Sequence, residues 1–322
     1  MAAVTASEDA GAHAGDQIET GPGMAGLHRR VAVGPGTLIG VDQLAALREL
    51  LGTSDLEELI GGHQSRVYAA TLPGEAARVV VKVRPLDEVE EGDLRTRMQV
   101  VAELAAVEPL VCRPFRLDGQ LVLRLEGDAG WRGFATCVEH VGGLAPDPSD
   151  GSDATAMGAS LARLHLRMAD LGPVDLPLVA ALRSTEGDLA SAVQLLHGDF
   201  GAGNLRRTPA GLRIFDFDDC GYGPPLFDVA NAVYMVRFDD ETSGDGRRHQ
   251  AFEASFLRGY AEESGDAVDR SEVSRLMDLR VEALAAWLDD LSAAPVGIRT
   301  ASPAWRQVLR GFVDTWRRDE RS

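Results

Sequence analysis

Apolar residues recur at helical spacing from Val41 to Leu51, where Val41, Leu44, Ala45, Leu47, Leu50 and Leu51 share one side of a 3.6-residue turn. Gly52 with Ser54 and Asp55 closes that stretch. The pattern then changes to the β-branched runs of strands, Arg66 to Thr71 and Arg78 to Val83, separated by a turn at Pro73-Gly74. Helical spacing returns from about Asp93 to Val107, with Leu94, Met98, Val101 and Ala105 on one face, and further strands are expected near Gln120 to Leu125 and Phe134 to Val141. Past the pair Gly142-Gly143 and the Pro-, Asp- and Ser-rich stretch Pro146 to Ser152, which reads as a hinge, helices predominate, beginning with Ala154 to Met168. Residues 1–36 are Ala, Gly and scattered acids without apolar period, the pattern of a disordered leader. The expected organisation is α+β: a small sheet unit with one helix over 37–143, and a larger, mainly helical unit over 144–322.

Composition narrows the function. Among 322 residues, 32 Lys and Arg stand against 50 Asp and Glu, a net charge of −18 that disfavours nucleic acid and anionic membrane and favours cationic partners. Cys112, Cys137 and Cys220 are scattered, with no CxxC spacing, so a reduced, cytoplasmic location is expected. No stretch has the roughly 18–20 uncharged apolar residues of a membrane helix.

The chemistry concentrates between Leu195 and Tyr234. His197-Gly198-Asp199 is followed five residues after its Asp by Asn204, and then by the strand-like Leu212-Arg213-Ile214-Phe215 ending in Asp216. Phosphoryl transfer from ATP needs one carboxylate beside the acceptor hydroxyl and separate oxygen ligands that hold Mg2+ on the phosphates. In kinases a loop Asp, an Asn five positions on and a second Asp on a neighbouring strand supply these, and Asp199, Asn204 and Asp216 reproduce that spacing.

At these residues the chain resembles the aminoglycoside phosphotransferase and choline kinase-like family, whose loop carries His-Gly-Asp where protein kinases carry His-Arg-Asp. Gly223 to Ala230 resembles the helix start that buries an Asp, here Asp228, beneath the catalytic loop. Leu161 to His165 resembles the helix leading to that loop, and Gly61-Gly62 through Tyr68 the glycine-rich strand turn. The resemblance spans about Ile60 to Tyr260. It implies a bilobal protein-kinase-like fold with a small antiparallel sheet lobe and a larger helical lobe. It also implies an ATP- and Mg2+-dependent phosphotransferase with Asp199 as catalytic base and Asn204 and Asp216 as magnesium ligands. His197 braces the loop in such an arrangement, without a catalytic role. Lys82, in Val79-Val80-Val81-Lys82-Val83, fits the solvent face of an edge strand on its local pattern alone. The resemblance instead assigns it to the phosphates, and gives Gly61 and Gly62, otherwise an ordinary hairpin turn, a place over them.

The sequence departs from the family where a Glu on the helix after the lysine strand is expected to hold Lys82, since Arg97 occupies that position. Glu90, Glu91 or Glu103 could substitute through a shifted register, or Lys82 could rely on phosphate alone, and a nucleotide-binding pseudokinase stays open. Asp218 and Asp219 replace the glycine of the protein-kinase Asp-Phe-Gly, either to meet an amine of the acceptor or to brace their own loop. The short Asp216 to Asp228 segment and Gly201 argue for a small acceptor over a protein. An aminoglycoside, amino sugar, choline or homoserine-like compound fits. The alternative is a serine/threonine kinase of the stress-response type within the same family. The acceptor site is expected after Tyr234, where Asp239-Asp240-Glu241, Glu262-Glu263 and Asp289-Asp290 lie near Trp287, Trp305 and Trp316, an acidic, aromatic-edged composition suited to ammonium groups and also to solvated helix faces.

Overall fold

The computed structural model describes residues 41–59, 65–73, 78–126, 132–185, 193–243 and 248–319. The leader over 1–36 and the pair Gly61-Gly62 lie outside them.

The chain opens with helix α1 (Val41–Leu51) and then strands β1 (Leu56–Leu59), β2 (Arg66–Thr71) and β3 (Arg78–Pro85). Helix α2 (Glu91–Val107) leads to β4 (Pro114–Phe115), β5 (Val122–Glu126) and β6 (Arg132–Glu139). These strands form one antiparallel sheet in the order β1-β2-β3-β6-β4, with β5 also pairing with β6. Alternation along β3 sets its two faces: Val79, Val81 and Val83 are buried together with Leu47 and Leu51 of α1, Tyr68 and Cys137. Val80, Lys82 and Arg84 therefore face the other way. On that side Leu94 and Met98 of α2 pack with Val122 and Phe134. The edge strand β1 is Leu-Glu-Glu-Leu, and its acids are tied back to the sheet by Arg66 to Glu58 at 2.6 Å and Arg78 to Glu57 at 2.9 Å.

The remainder is mainly helical: α3 (Gly151–Ala169), α4 (Leu226–Ser243), α5 (Arg248–Ser264), α6 (Arg270–Asp289), the short α7 (Val296–Arg299) and α8 (Pro303–Asp319). Helix α3 starts earlier than its apolar period, because the Asp150 side chain accepts from Ser152 N at 2.7 Å and caps the first turn. Between α3 and α4 lie two small ribbons, β7 (Gln194–Leu196) with β10 (Gly221–Gly223), and β8 (Leu205–Thr208) with β9 (Gly211–Ile214). The large core joins α3, α4, α5, α6 and α8 to these ribbons and also takes in Val100, Val101 and Leu104 of α2. The fold is the expected bilobal, protein-kinase-like arrangement of a small antiparallel sheet with α2 against a larger helical body. Among the described residues, no helix is long and apolar enough to cross a membrane.

Candidate active site

Asp228 organises the loop that follows β7. It sits in the first turn of α4, wholly buried, and accepts from His197 N at 2.8 Å and Gly198 N at 2.9 Å. These are backbone donors at a point where the ribbon has ended, and leaving them unpaired in the interior costs about 1–3 kcal/mol each. On its other side the same carboxylate lies 3.1 Å from Nε2 of His165, whose Nδ1 lies 2.9 Å from the Tyr260 hydroxyl. Gly198 has φ +85°, and a Cβ there would run into the carbonyl oxygen of Asp219. The buried His197 ring places Nε2 3.1 Å from the Phe215 carbonyl, to which it donates, leaving Nδ1 to accept from Asp199 N at 3.3 Å. Burial lowers the His197 pKa, and the neutral ring braces the loop from inside.

The loop presents Asp199 and Asn204 together. Asn204 Nδ2 donates to the Asp199 carbonyl at 2.8 Å and to its Oδ2 at 3.1 Å, while Asn231 Nδ2 lies 3.5 Å from Oδ1. Behind them the β9 ladder ends at Ile214, two residues short of the expected strand end, and Phe215 N donates to the Asn204 carbonyl at 3.1 Å. Asp216 then takes φ 69°, a left-handed conformation that is costly for a residue with a side chain. This turn brings its carboxylate within 2.5 Å of Lys82 Nζ, across from β3. Asp199 and Asn204 from the loop, Asp216 from the end of β9 and Lys82 from β3 thus gather from three segments.

The acid that holds Lys82 beside Asp216 is Asp218, 3.0 Å away, which also pairs with Arg84. None of the α2 acids takes that part among the described contacts: Glu91 pairs with Arg95 at 2.7 Å and Glu103 accepts from Gln99 at 2.9 Å. Arg97, where the family pattern has a Glu, turns to the loop instead, donating from Nε to the Cys220 carbonyl at 2.9 Å. Arg84 was foreseeable, since it stands two residues from Lys82 on the same strand face. Asp218, expected to meet an acceptor amine or to brace its own loop, is instead engaged by Lys82 and Arg84 of β3.

Electrostatics follow from this packing. Burial, with Asp219 and Asp216 nearby, pushes the Asp199 carboxyl up to about 7, against the pull of Arg280 and Asn204. Burial and Asp218 likewise raise Asp216, whereas for Asp218 the cations Arg84 and Lys82 more than reverse the effect of burial and hold it well below the carboxylate range. Burial alone would lower Lys82, but Asp216 and Asp218 outweigh it and its pKa is raised. A cavity of about 30 Å³ is lined by Lys82, Asp216 and Asp218 together with Met98, Thr136 and Phe217.

The acids and aromatics expected to edge an acceptor site are mostly engaged elsewhere. Asp240 is buried against Arg248 and His249, Glu241 pairs with Arg237, Asp289 with Arg310, and Asp290 accepts from Ser292. Glu262 and Glu263 are exposed. Trp305 packs on Phe238, and Trp316 lies under Arg237 and donates to Asp278. Trp287 alone among the three connects to Asp199, through Arg280 and Asn231.

Residues 178–270 match the family model described as APH, phosphotransferase enzyme family. The stretch covers Asp199, Asn204, Asp216 and Asp228. No curated protein matches the chain. Solved structures share its fold at low identity. Amicoumacin kinase in complex with AMP-PNP, Ca2+ and amicoumacin aligns with TM-score 0.67 and 18% identity over 85% of this chain and 92% of that one. The microcompartment-associated aminopropanol kinase aligns with TM-score 0.61 and 17% identity over 86% and 97%. The aminoglycoside phosphotransferase APH(3'')-Id from Streptomyces rimosus aligns with TM-score 0.50 and 19% identity over 73% and 95%. The segment over 178–270 is thus similar to the phosphotransferase enzyme family, and the chain shares the fold of these solved kinase structures.

Proposed function

We propose that the protein moves the γ-phosphoryl group of ATP to a hydroxyl of a small polar molecule, with Asp199 as base. The observation that carries this reading is the joining of Asp199 to Asn204 at 3.1 Å, with Asp216 on the adjoining strand end paired to Lys82 at 2.5 Å. Asp199 accepts the proton of the acceptor hydroxyl and orients its oxygen, and its pKa near neutrality suits that work. Lys82, held by Asp218, neutralises phosphate oxygens. Gly61 and Gly62 are assigned to close over them.

The donor set fits magnesium. Asp216 offers a carboxylate, and Asn204, whose amide nitrogen is spent on Asp199, offers its amide oxygen; both are hard oxygen ligands. Magnesium commonly takes one or two protein carboxylates and completes its shell with water and phosphate. Bound there, magnesium offsets the charge that builds on the phosphates. Relatives in fold include kinases of amicoumacin and aminopropanol, which supports a small hydroxyl-bearing acceptor, such as an amino alcohol, amino sugar or homoserine-like compound. The division into a nucleotide lobe up to about Gly143 and an acceptor lobe beyond it belongs to the same proposal.

The test is Asp199→Ala. Turnover in a coupled ATP assay with the best acceptor from a panel of aminoglycosides, amino alcohols, hydroxy amino acids and a generic protein is expected to fall ~10²–10⁴-fold, with nucleotide affinity nearly unchanged. Equal turnover in the variant removes Asp199 from the mechanism, and stimulation by the protein alone would turn the reading to a protein kinase.

A further inference from the structure

Arg280 is a cation whose charge reaches Asp199 and Asp219 and which makes no direct ion pair with them among the described contacts. It projects from α6, and its Nε donates to Asn231 Oδ1 at 3.3 Å, while Asn231 Nδ2 reaches the Asp199 carboxylate at 3.5 Å. Its guanidinium carbon lies 5.1 Å from the Tyr234 ring centroid and 5.5 Å from that of Trp287, so two aromatic faces fix its orientation. Nη1 is buried and has no hydrogen-bond partner among the described residues. Lys82 is committed to Asp216 and Asp218 and Arg97 to Asp93 and the Cys220 carbonyl, while Arg84, whose Nε is also buried without a hydrogen-bond partner, pairs with Asp218 on the Lys82 side of the site, away from α6. A buried N–H donor without an acceptor is costly, and Arg280, a half-buried side chain held by Asn231 and two rings and linked through Asn231 to Asp199, is placed to meet a ligand that supplies the acceptor. A guanidinium edge matches a carboxylate through paired N–H donors.

We propose that Arg280 is an acceptor-specificity residue that binds a carboxylate carried by the acceptor beside the hydroxyl that Asp199 addresses, making the preferred acceptor a small hydroxy acid. This rests on the phosphotransferase reading and narrows its acceptor class. It departs from the expectation of a site dominated by acids, because the acidic runs after Tyr234 are mostly held in ion pairs or in solvent.

Trp287 supplies a readout that needs no turnover. The full chain without nucleotide is titrated with 4-hydroxybutyrate and, separately, with its uncharged counterpart 1,4-butanediol, while tryptophan emission is followed. The carboxylate is expected to change the emission of the wild type, and to leave Trp287→Phe unchanged. Arg280→Gln is expected to weaken this binding at least ~tenfold, the loss of one charged hydrogen-bonded contact. Arg280→Lys, which keeps the charge, recovers part of it and so separates recognition from misfolding. In steady-state kinetics with ATP, the KM for the hydroxy acid is expected to lie below that for the diol, and Arg280→Gln to erase the difference through KM. A wild-type emission indifferent to the carboxylate, or a preference for it that survives Arg280→Gln, overturns the proposal. Saturable carboxylate binding that depends on Arg280, without transfer to any acceptor, upholds Arg280 and counts against the phosphotransferase reading instead.

Discussion

A carboxylate pushed above its ordinary range is a strain on the fold that holds it. Asp199 lies in the field of Asp219 and Asp216 as well as partly out of water, and its pKa, pushed up to about 7, lies above the roughly 3.9 of an unfolded aspartate. The cost is absent while both states are protonated, appears as pH rises past the unfolded value, and is complete above the folded one. Asp199→Asn, which keeps the shape and removes the charge, is therefore expected to raise Tm in metal-free buffer, more at pH 8 than at pH 5. Calorimetry showing an equal or lower Tm at pH 8 would contradict the electrostatic account. Asp218 works in the opposite sense, since its charge is what steadies Lys82 and Arg84. Asp218→Asn is expected to raise the KM for ATP at least roughly tenfold, because the buried Arg84 and the largely buried Lys82 lose their shared partner. The corresponding change at Glu91, which sits at Arg95, should leave that KM where it is.

At the scale of elements, close helix packing carries the loop. Helices α3 and α5 cross at Gly158 and Gly259, where an added Cβ would meet the Phe256 and Thr155 carbonyl oxygens of the facing backbone. His165 and Tyr260, which steady Asp228, sit on these same helices. Gly158→Ala is expected to cost about 1–3 kcal/mol by overpacking and to lower activity along with stability, as melting curves and turnover measured on one preparation can show. Much of this framework was legible in the sequence: α1, β2, β3, α2 and α3 have apolar periods long enough to stand on their own. Strand β1 was not, since Leu-Glu-Glu-Leu has an acidic middle and owes its pairing to Arg66 and Arg78. Nor were β7 and β10, three residues each, which exist only because each completes the other. The spacing of Asp199, Asn204 and Asp216 could be read because loop and hairpin are contiguous. Asp218 as partner of Lys82, and Arg280 beside Asn231, could not, since both depend on how distant segments cross.

For the molecule as a whole, α2 has a double allegiance that decides how nucleotide binding should register. Leu94 and Met98 pack with the sheet, while Val100, Val101 and Leu104 lie in the large helical core, and Arg97 ties the same helix to the Cys220 carbonyl. Lys82 belongs to the sheet side and Asp216 to the helical side, so the proposed metal-bound nucleotide, gathered by both, would add a link across the same joint that α2 already spans. A ligand that binds only the folded state at a hundred times its Kd stabilises it by about 2.7 kcal/mol. AMP-PNP with magnesium is therefore expected to raise Tm of the full chain as a single transition, and EDTA to remove most of the gain. Asp216→Asn should lose the metal-dependent part and keep whatever the nucleotide contributes through Lys82. Two separate transitions, of which only one responds to the nucleotide, would mean that α2 does not couple the two cores and that binding is confined to one of them.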